Sequence, residues 1–415
     1  MTLRLLWAMA ALCVACGDPP LAASAASKAD GSAADGAANL DGAGRAGDAG
    51  ADAGADTVVP ADLGADAVPT ADADAVADAV AVADAAAAAD AVAVADADAA
   101  GDAAPDAVAP PKTVYAGHCG TPFVLPAKQK WTHDFVSPTV ILAGKPNHRI
   151  RDLILPIGTA SKLRGHFTYG IADVSLGDET VELWVQTCPG WVSWGKKQTG
   201  NGATDNGIVF FDVPADVPPG DYQVKIVMLG DQTVADGAIA IWPKGVQTIV
   251  TDVDGTLTTS DWQLISDVIF GADAEMYPDA NTVMNQWAKK DFRLIYLTGR
   301  PQIVNRYTRT WLANHGFPAG TLHLTEDVGQ LIPNDTGVQK FKTDFLAGVQ
   351  KDVAPVIKPA YGNAPTDIGA YAAVGIAKAV TWIIGPNAGN DGTQALTSYT
   401  SHLPGVLSAP VANQP

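Results

Sequence analysis

Thr248-Ile-Val-Thr-Asp-Val-Asp-Gly-Thr-Leu-Thr-Thr-Ser-Asp261 is an apolar run that stops abruptly in two aspartates, a glycine and a threonine. Four β-favouring residues ahead of Asp252 predict a strand inside a parallel sheet, and Gly255 lets the chain turn sharply where the strand ends. The carboxylates then stand at the carboxyl edge of that sheet, where open α/β sheets place their ligands. Two acids at this spacing can share phosphoryl transfer: Asp252 attacks phosphorus and carries the phosphoryl group, while Asp254 moves the proton of the leaving group. Such a site needs a divalent cation to neutralise the phosphate. Asp and Gly also favour turns for local reasons, so the same residues admit a plain loop.

From residue 246 to about 385, strand-like apolar runs alternate with helical patterns, which predicts βαβ units and a parallel sheet. A helix is expected over 281–290, with Val283, Met284, Trp287 and Ala288 on one face and Asp279 as its N-cap. A strand at 292–297 ends in Thr298-Gly299-Arg300-Pro301. There a hydroxyl, backbone N–H groups and the start of the next helix can hold phosphate oxygens. That helix, running to His315, should bury Ile303, Val304, Tyr307, Trp311 and Leu312, with Gly316 ending it and a short strand at 321–324 following.

Lys340 and Lys342 fall in the first turn expected of a helix that opens at Gly337. A cation there opposes the helix dipole, so local stability does not select it, whereas a nearby anion would. A strand at 356–361 runs into Gly362-Asn363, and Asp367 begins the helix after it. An acid there can meet Asp252 across a shared magnesium ion, with the Asp254 main-chain carbonyl and waters filling an octahedral shell and Asn363 assisting. Thr366 and Asp367 also suit simple helix capping.

Asp252-Val-Asp-Gly-Thr256, Tyr296-Leu-Thr-Gly-Arg300, Phe341-Lys342 and Tyr361-Gly-Asn-Ala-Pro-Thr-Asp367, with Val374-Gly-Ile376 and Ile384-Gly-Pro386, resemble the lipin catalytic domain. That domain belongs to the haloacid dehalogenase (HAD) phosphatases, and the resemblance covers about residues 246–387. It implies a HAD-like doubly wound parallel sheet at 246–405 and a Mg2+-dependent phosphomonoesterase with an aspartyl-phosphate intermediate. It assigns catalysis to Asp252, Asp254, Thr298 and Lys342, with Lys340 as the fallback lysine. Substrate binding falls to Gly255, Thr256, Gly299, Arg300 and Asn363, and the metal to Asp252, Asp254 and Asp367. The segments are also similar to the terminal domain of Nir-type phosphatidylinositol transfer proteins, in which the nucleophilic chemistry is lost. This chain keeps both aspartates. Residues 262–278 depart from the lipin pattern and are expected to shape the substrate entrance. With no large insertion resembling a cap domain, the site should be open, which suits phosphatidate or a related phospholipid at a membrane surface. A soluble phosphomonoester, or a non-catalytic lipid- or phosphate-binding surface lipoprotein, are the competing readings.

At the N-terminus, Arg4 and the apolar run to Val14 read as a secretory signal, too short to span a bilayer as a mature helix. Ala15-Cys16-Gly17 resembles the bacterial lipobox, whose cysteine is lipidated, although Cys13 stands where that pattern has leucine and plain cleavage is the alternative. The resulting expectation is a signal at 1–16, a disordered Ala/Asp-rich linker at 17–110, and an exported, membrane-anchored lipoprotein facing the periplasm or cell surface. Residues 21–110 hold seventeen aspartates against Lys28 and Arg45, so they carry −15 of the formal −19; residues 1–20 are neutral, leaving −4 for the rest. The acidity therefore describes a spacer of roughly 50 Å reach. It says nothing of a partner for the folded part, and no nucleic acid is expected.

Residues 111–245 carry candidate strands at 140–142, 150–157, 164–169, 181–187, 208–213, 222–229 and 238–242, which suggest an immunoglobulin-like β-sandwich. In the fourth of these, Val181, Leu183 and Val185 share one face, with Glu182, Trp184 and Gln186 on a wetter one. Pro219-Gly-Asp-Tyr222 resembles a tyrosine corner. Cys119 and Cys188 are expected to form a disulfide in an oxidising compartment, with two buried thiols as the alternative. His118, His133, His148 and His166 lack ligand-type spacing and read as surface or structural residues. Trp191 and Trp194 with Lys196 and Lys197 suit either a membrane-facing loop or aromatic packing on the sandwich. Residues 406–415 read as a tail.

Overall fold

The computed structural model describes residues 121–188, 190–259, 274–326 and 335–415. The secretory signal, Cys16, the acidic spacer, His118, Cys119 and most of the 262–278 segment lie outside the described residues.

The first module opens with helix α1 (Val136–Ile141) and continues through β1 (Arg149–Ile150), β2 (Leu153–Pro156), β3 (Ser161–His166), β4 (Thr168–Tyr169), β5 (Val174–Ser175), β6 (Thr180–Gln186), β7 (Trp191–Gln198), β8 (Ile208–Val213), β9 (Gly220–Met228) and β10 (Val234–Trp242). A five-stranded sheet, β2-β10-β9-β6-β7, faces a three-stranded sheet, β1-β3-β8. The two close on one apolar core: Ile150, Leu163, Val209 and Phe211 from the smaller sheet meet Val181, Leu183, Val185, Val224, Ile226 and Ile239 from the larger. The Tyr222 hydroxyl donates to the Pro218 carbonyl at 2.8 Å, fixing the corner into β9.

Three local expectations change here. Residues 140–142 end α1 instead of forming a strand, because the buried Glu179 carboxylate accepts from Thr132 N–H (2.9 Å), His133 N–H (3.1 Å) and the Ser137 hydroxyl (2.5 Å). A tertiary acceptor at a helix start outweighs β propensity over six residues. Trp191 to Lys197 lie in β7, not a loop: Trp191 packs edge-on against Phe123 at 4.9 Å and Lys197 pairs with Asp212 at 2.8 Å. Glu182 and Gln186, placed on the wetter face, are buried, and Ser193 of β7 donates to Glu182 at 2.7 Å. His133, His148 and His166 are all hydrogen-bonded within the protein. Cys188 is disulfide-bonded.

The second module runs β11 (Gln247–Thr251), α2 (Ala280–Lys289), β12 (Arg293–Pro301), α3 (Asn305–Asn314), β13 (Thr321–Thr325), α4 (Asp335–Val353), β14 (Val356–Gly362), α5 (Pro365–Ala373), β15 (Thr381–Ile384), β16 (Gln394–Leu396) and α6 (Tyr399–Ser408). Its six strands are all parallel, in the order β13-β12-β11-β14-β15-β16. The period of two in β11 sends Ile249 to a core with Met284, Trp287, Trp311 and Leu312, and Val250 to a second core with Leu346, Val349 and Tyr371. Helices therefore cover both faces, and β11, central and apolar, carries its aspartates out past the edge.

Asp279 precedes α2 but makes no capping bond; its φ of 63° turns the carboxylate toward Thr400, which donates to it at 2.6 Å. α4 begins at Asp335, so Lys340 and Lys342 sit beyond its first turn. The tail expected at 406–415 is partly the end of α6, and Gln414 then bonds the main chain of Gln247 through both ends of its amide (2.8 and 3.0 Å). Among the described residues, no helix is long and apolar enough to cross a membrane.

The modules share substance. Ala240 and Trp242, at the end of β10, belong to the same apolar cluster as Val246, Val250 and Leu346. Beside it the buried Asp152 carboxylate accepts from Ala238 N–H (2.8 Å), Leu322 N–H (2.8 Å) and Arg309 Nη2 (2.5 Å).

Candidate active site at the carboxyl edge of the parallel sheet

Three hydrogen bonds fix the turn that follows β11. Asp252 N–H donates to the Tyr361 carbonyl of the neighbouring strand at 3.0 Å. Gly255 then takes a φ of 65°, a conformation side chains resist, and its N–H bonds the Thr258 hydroxyl at 3.0 Å. From α6 the Tyr399 hydroxyl donates to the Thr256 carbonyl at 3.0 Å.

Three elements converge on Asp252. Lys342, eight residues into α4, donates from its ammonium to Asp252 Oδ1 at 2.7 Å and to Asp367 Oδ1 at 2.6 Å. Asp367 divides its work: its other oxygen accepts from the N–H groups of Asn363 (3.0 Å) and Ala364 (3.1 Å), capping α5. Capping and site-building are thus one role for this residue. Thr256 donates to Asp252 Oδ2 at 3.0 Å and also reaches Asn363 Oδ1 at 3.3 Å. Lys340 is exposed and pairs with Asp344, away from these groups.

Asp254 stands apart from this cluster. Its carboxylate receives Arg300 Nε at 2.9 and 3.0 Å, Arg300 Nη2 at 2.6 Å and the Thr298 hydroxyl at 2.8 Å. Thr298 and Arg300 were expected at phosphate oxygens; both instead point at Asp254. Gly299 lies between them against Val338, whose methyl carbons would be 3.0 and 3.1 Å from an added Cβ. Tyr399, which supports the turn from α6, carries no sequence signal, since it acts through a contact 143 residues away along the chain.

Charge is unbalanced. Three carboxylates against Lys342 and Arg300 leave one negative charge in a largely buried site. Burial pushes the Asp252 carboxyl up to about 7; Lys342 opposes the shift, while Asp367 and Asp254 add to it. Burial alone would lower Lys342, but its two carboxylate partners outweigh that and hold it above the usual lysine range. Among the described residues, no three His, Cys, Asp or Glu side chains form one metal cluster. Carboxylate oxygens are nevertheless the donor type Mg2+ takes, and Asp252 and Asp367 bring two buried carboxylates together at Lys342.

Comparison with known proteins divides the chain along its modules. Residues 249–385 match the family described as the LNS2 domain of PITM 1-3, and residues 146–241 match the PITM 1-3 β-sandwich domain. Membrane-associated phosphatidylinositol transfer protein 1 of Rattus norvegicus is 31% identical over 245 residues, covering 58% of this chain and 18% of its own length. Membrane-associated phosphatidylinositol transfer protein 3 of Mus musculus is 30% identical, covering 62% of this chain and 26% of its own. The protein retinal degeneration B of Drosophila melanogaster is 29% identical, covering 63% and 20%. A crystal structure described as that of a HAD-like phosphatase from Mesorhizobium loti is 16% identical, with a TM-score of 0.31, covering 42% of this chain and 91% of its own. The chain thus spans about a fifth to a quarter of these curated relatives, and what it is similar to in them is a β-sandwich followed by an LNS2 domain.

Proposed function

We propose that this protein is a Mg2+-dependent phosphomonoesterase that works through an aspartyl-phosphate on Asp252, with phosphatidate or a related phospholipid as substrate. The observation that supports it is the meeting of Asp252, Lys342 and Asp367, brought from β11, α4 and α5 into direct contact. Asp252 would attack phosphorus, and Asp254 would give a proton to the departing oxygen and later accept one from water. Lys342 and backbone N–H groups near Gly255, Thr256 and Gly299 would hold the charge of the transferring group, with Asn363 beside them. Asp252, Asp367 and the Asp254 carbonyl would hold magnesium, whose contribution when bound is to neutralise phosphate charge as a Lewis acid.

The relatives' names describe phosphatidylinositol transfer at membranes, which favours a phospholipid over a nucleotide or sugar phosphate. A Cys16 lipid anchor with its acidic spacer would keep an exported enzyme near such a substrate, and a Cys119–Cys188 disulfide would brace the sandwich. A second reading, phosphate or lipid recognition without turnover, draws on a specific observation. Each carboxylate oxygen of Asp252, Asp254 and Asp367 already accepts a hydrogen bond from a protein donor.

Phosphate release by the full chain with magnesium, from phosphatidate vesicles and from small phosphomonoesters, separates the readings. Release from vesicles that Asp252→Asn abolishes is the expected result. Vesicle binding without release by the wild type would establish the second reading.

A further inference from the structure

We infer that Arg300 is a positioning residue for Asp254 and that its guanidinium takes no part in holding the phosphate. The inference rests on the phosphomonoesterase reading. Two sides of the guanidinium are committed: Nε and Nη2 fork onto Asp254, while Nη1 donates to the Thr308 hydroxyl at 3.0 Å, which itself donates to the Val304 carbonyl at 3.0 Å. Arg300 N–H further donates to Thr298 Oγ at 3.2 Å, and the Thr298 hydroxyl in turn donates to Asp254. The side chain of Arg300 is 3% exposed and that of Asp254 is 15%, so the fork grips the carboxylate from its buried side. An arginine serving a solvent-borne phosphate would present its fork outward. Swinging this one out would break the bidentate pair, release Thr308 and strand a buried carboxylate.

What the grip achieves is orientation. A carboxylate held on both oxygens has lost its torsional freedom before substrate arrives, which is the condition for efficient proton transfer at a fixed point. In the first step an Asp252 oxygen forms a bond to phosphorus while the ester P–O bond breaks. The leaving oxygen takes that electron pair and a proton that the Asp254 carboxylate first accepts from the monoprotonated phosphate ester and then hands on. In the second step water attacks phosphorus, the bond to Asp252 breaks with its electron pair returning to the carboxylate, and the proton from water passes to Asp254, which gives it up with the departing phosphate. An alkoxide leaving group needs that proton, and a nitrophenolate hardly does. Loss of the grip should therefore show up according to leaving group.

The test compares wild type, Arg300→Gln and Thr308→Val in the full chain with magnesium. Substrates are 4-nitrophenyl phosphate, glycerol phosphate and phosphatidate vesicles, and thermal melting controls for folding. For Arg300→Gln the expected kcat loss is about 100-fold or more on the two alkyl esters and under about 10-fold on the aryl ester, with KM changed by less than about threefold. Thr308→Val keeps the ion pair and loses the anchor, so it should show the same selectivity at smaller size, and it decides the matter if Arg300→Gln does not fold. A raised KM at constant kcat would assign Arg300 to phosphate binding and overturn the inference. Equal kcat losses on aryl and alkyl esters would overturn it too, leaving the phosphatase reading intact. A wild type inactive on every substrate would remove that reading and this inference together.

Discussion

Lys342 Nζ lies 2.7 Å from Asp252 Oδ1 with both side chains almost entirely out of water, at 3% and 4% exposure. The same ammonium serves Asp367, so one cation offsets two buried carboxylates. Lys342→Met should cost about 3–5 kcal/mol, the usual consequence of stranding buried charge. Asp252→Asn should abolish phosphate release yet stay within about 1 kcal/mol of wild type, because burial already favours a neutral group at that position. Urea unfolding of the two variants measures the contrast; equal destabilisation would contradict it.

Gly362 is where backbone space limits the site. A Cβ added there would lie 2.5 Å from Asp367 Cβ and 2.7 Å from its Oδ2, so Gly362→Ala must push the carboxylate away from Lys342. Phosphate release should fall at least about 100-fold, as expected for displacing a catalytic group by around 1 Å. Stability should fall by about 1–3 kcal/mol. Gly348 in α4 has nothing within 4 Å of an added Cβ, so Gly348→Ala is the matched control and should be neutral or slightly stabilising.

Asp152 joins the modules through one carboxylate with three donors, two of them from the second module. Asp152→Ala leaves Arg309 and two N–H groups without that acceptor and should cost about 3–5 kcal/mol. Calorimetry should show one transition in the wild type and a lowered, broadened or split one in the variant. A midpoint unchanged by Asp152→Ala would show that the apolar junction suffices.

His148 makes the sandwich acid-sensitive. Burial, then Arg306 and Arg149, holds its imidazole down to about 3, and the neutral ring accepts from Thr168 N–H at 3.2 Å. Between the ordinary histidine value of 6.5 and about 3, the unfolded chain binds a proton that the folded one refuses. Stability therefore falls as pH drops through that window, by about 1.4 kcal/mol per unit for this residue. His323, lowered to about 3 by burial, acts in the same direction. His148→Asn should flatten the pH dependence of melting between pH 7 and 4; an unchanged slope would exclude the histidine as its source.

The parallel sheet and the order of its site residues were legible because each candidate follows an apolar strand, and strand ends in such sheets share one edge. Lys342 was legible through the Phe341-Lys342 resemblance, not through its place in the helix, since α4 starts seven residues earlier than that lysine. The role of Arg300 was not: its partner lies 46 residues upstream, and no spacing rule distinguishes a fork aimed at substrate from one aimed at a neighbouring acid. Residues 140–142 misled for a related reason, since the acceptor that makes them helical, Glu179, is supplied from far along the chain. Local pattern located the candidate residues, and long-range pairing decided which way each side chain faced.

Trp242, the last residue of β10, is packed at 1% exposure into the apolar cluster that also holds Val246, Val250 and Leu346 of the second module. One shared interior therefore underlies both the last strand of the sandwich and the first of the parallel sheet, and a substitution that loosens it should be felt on both sides.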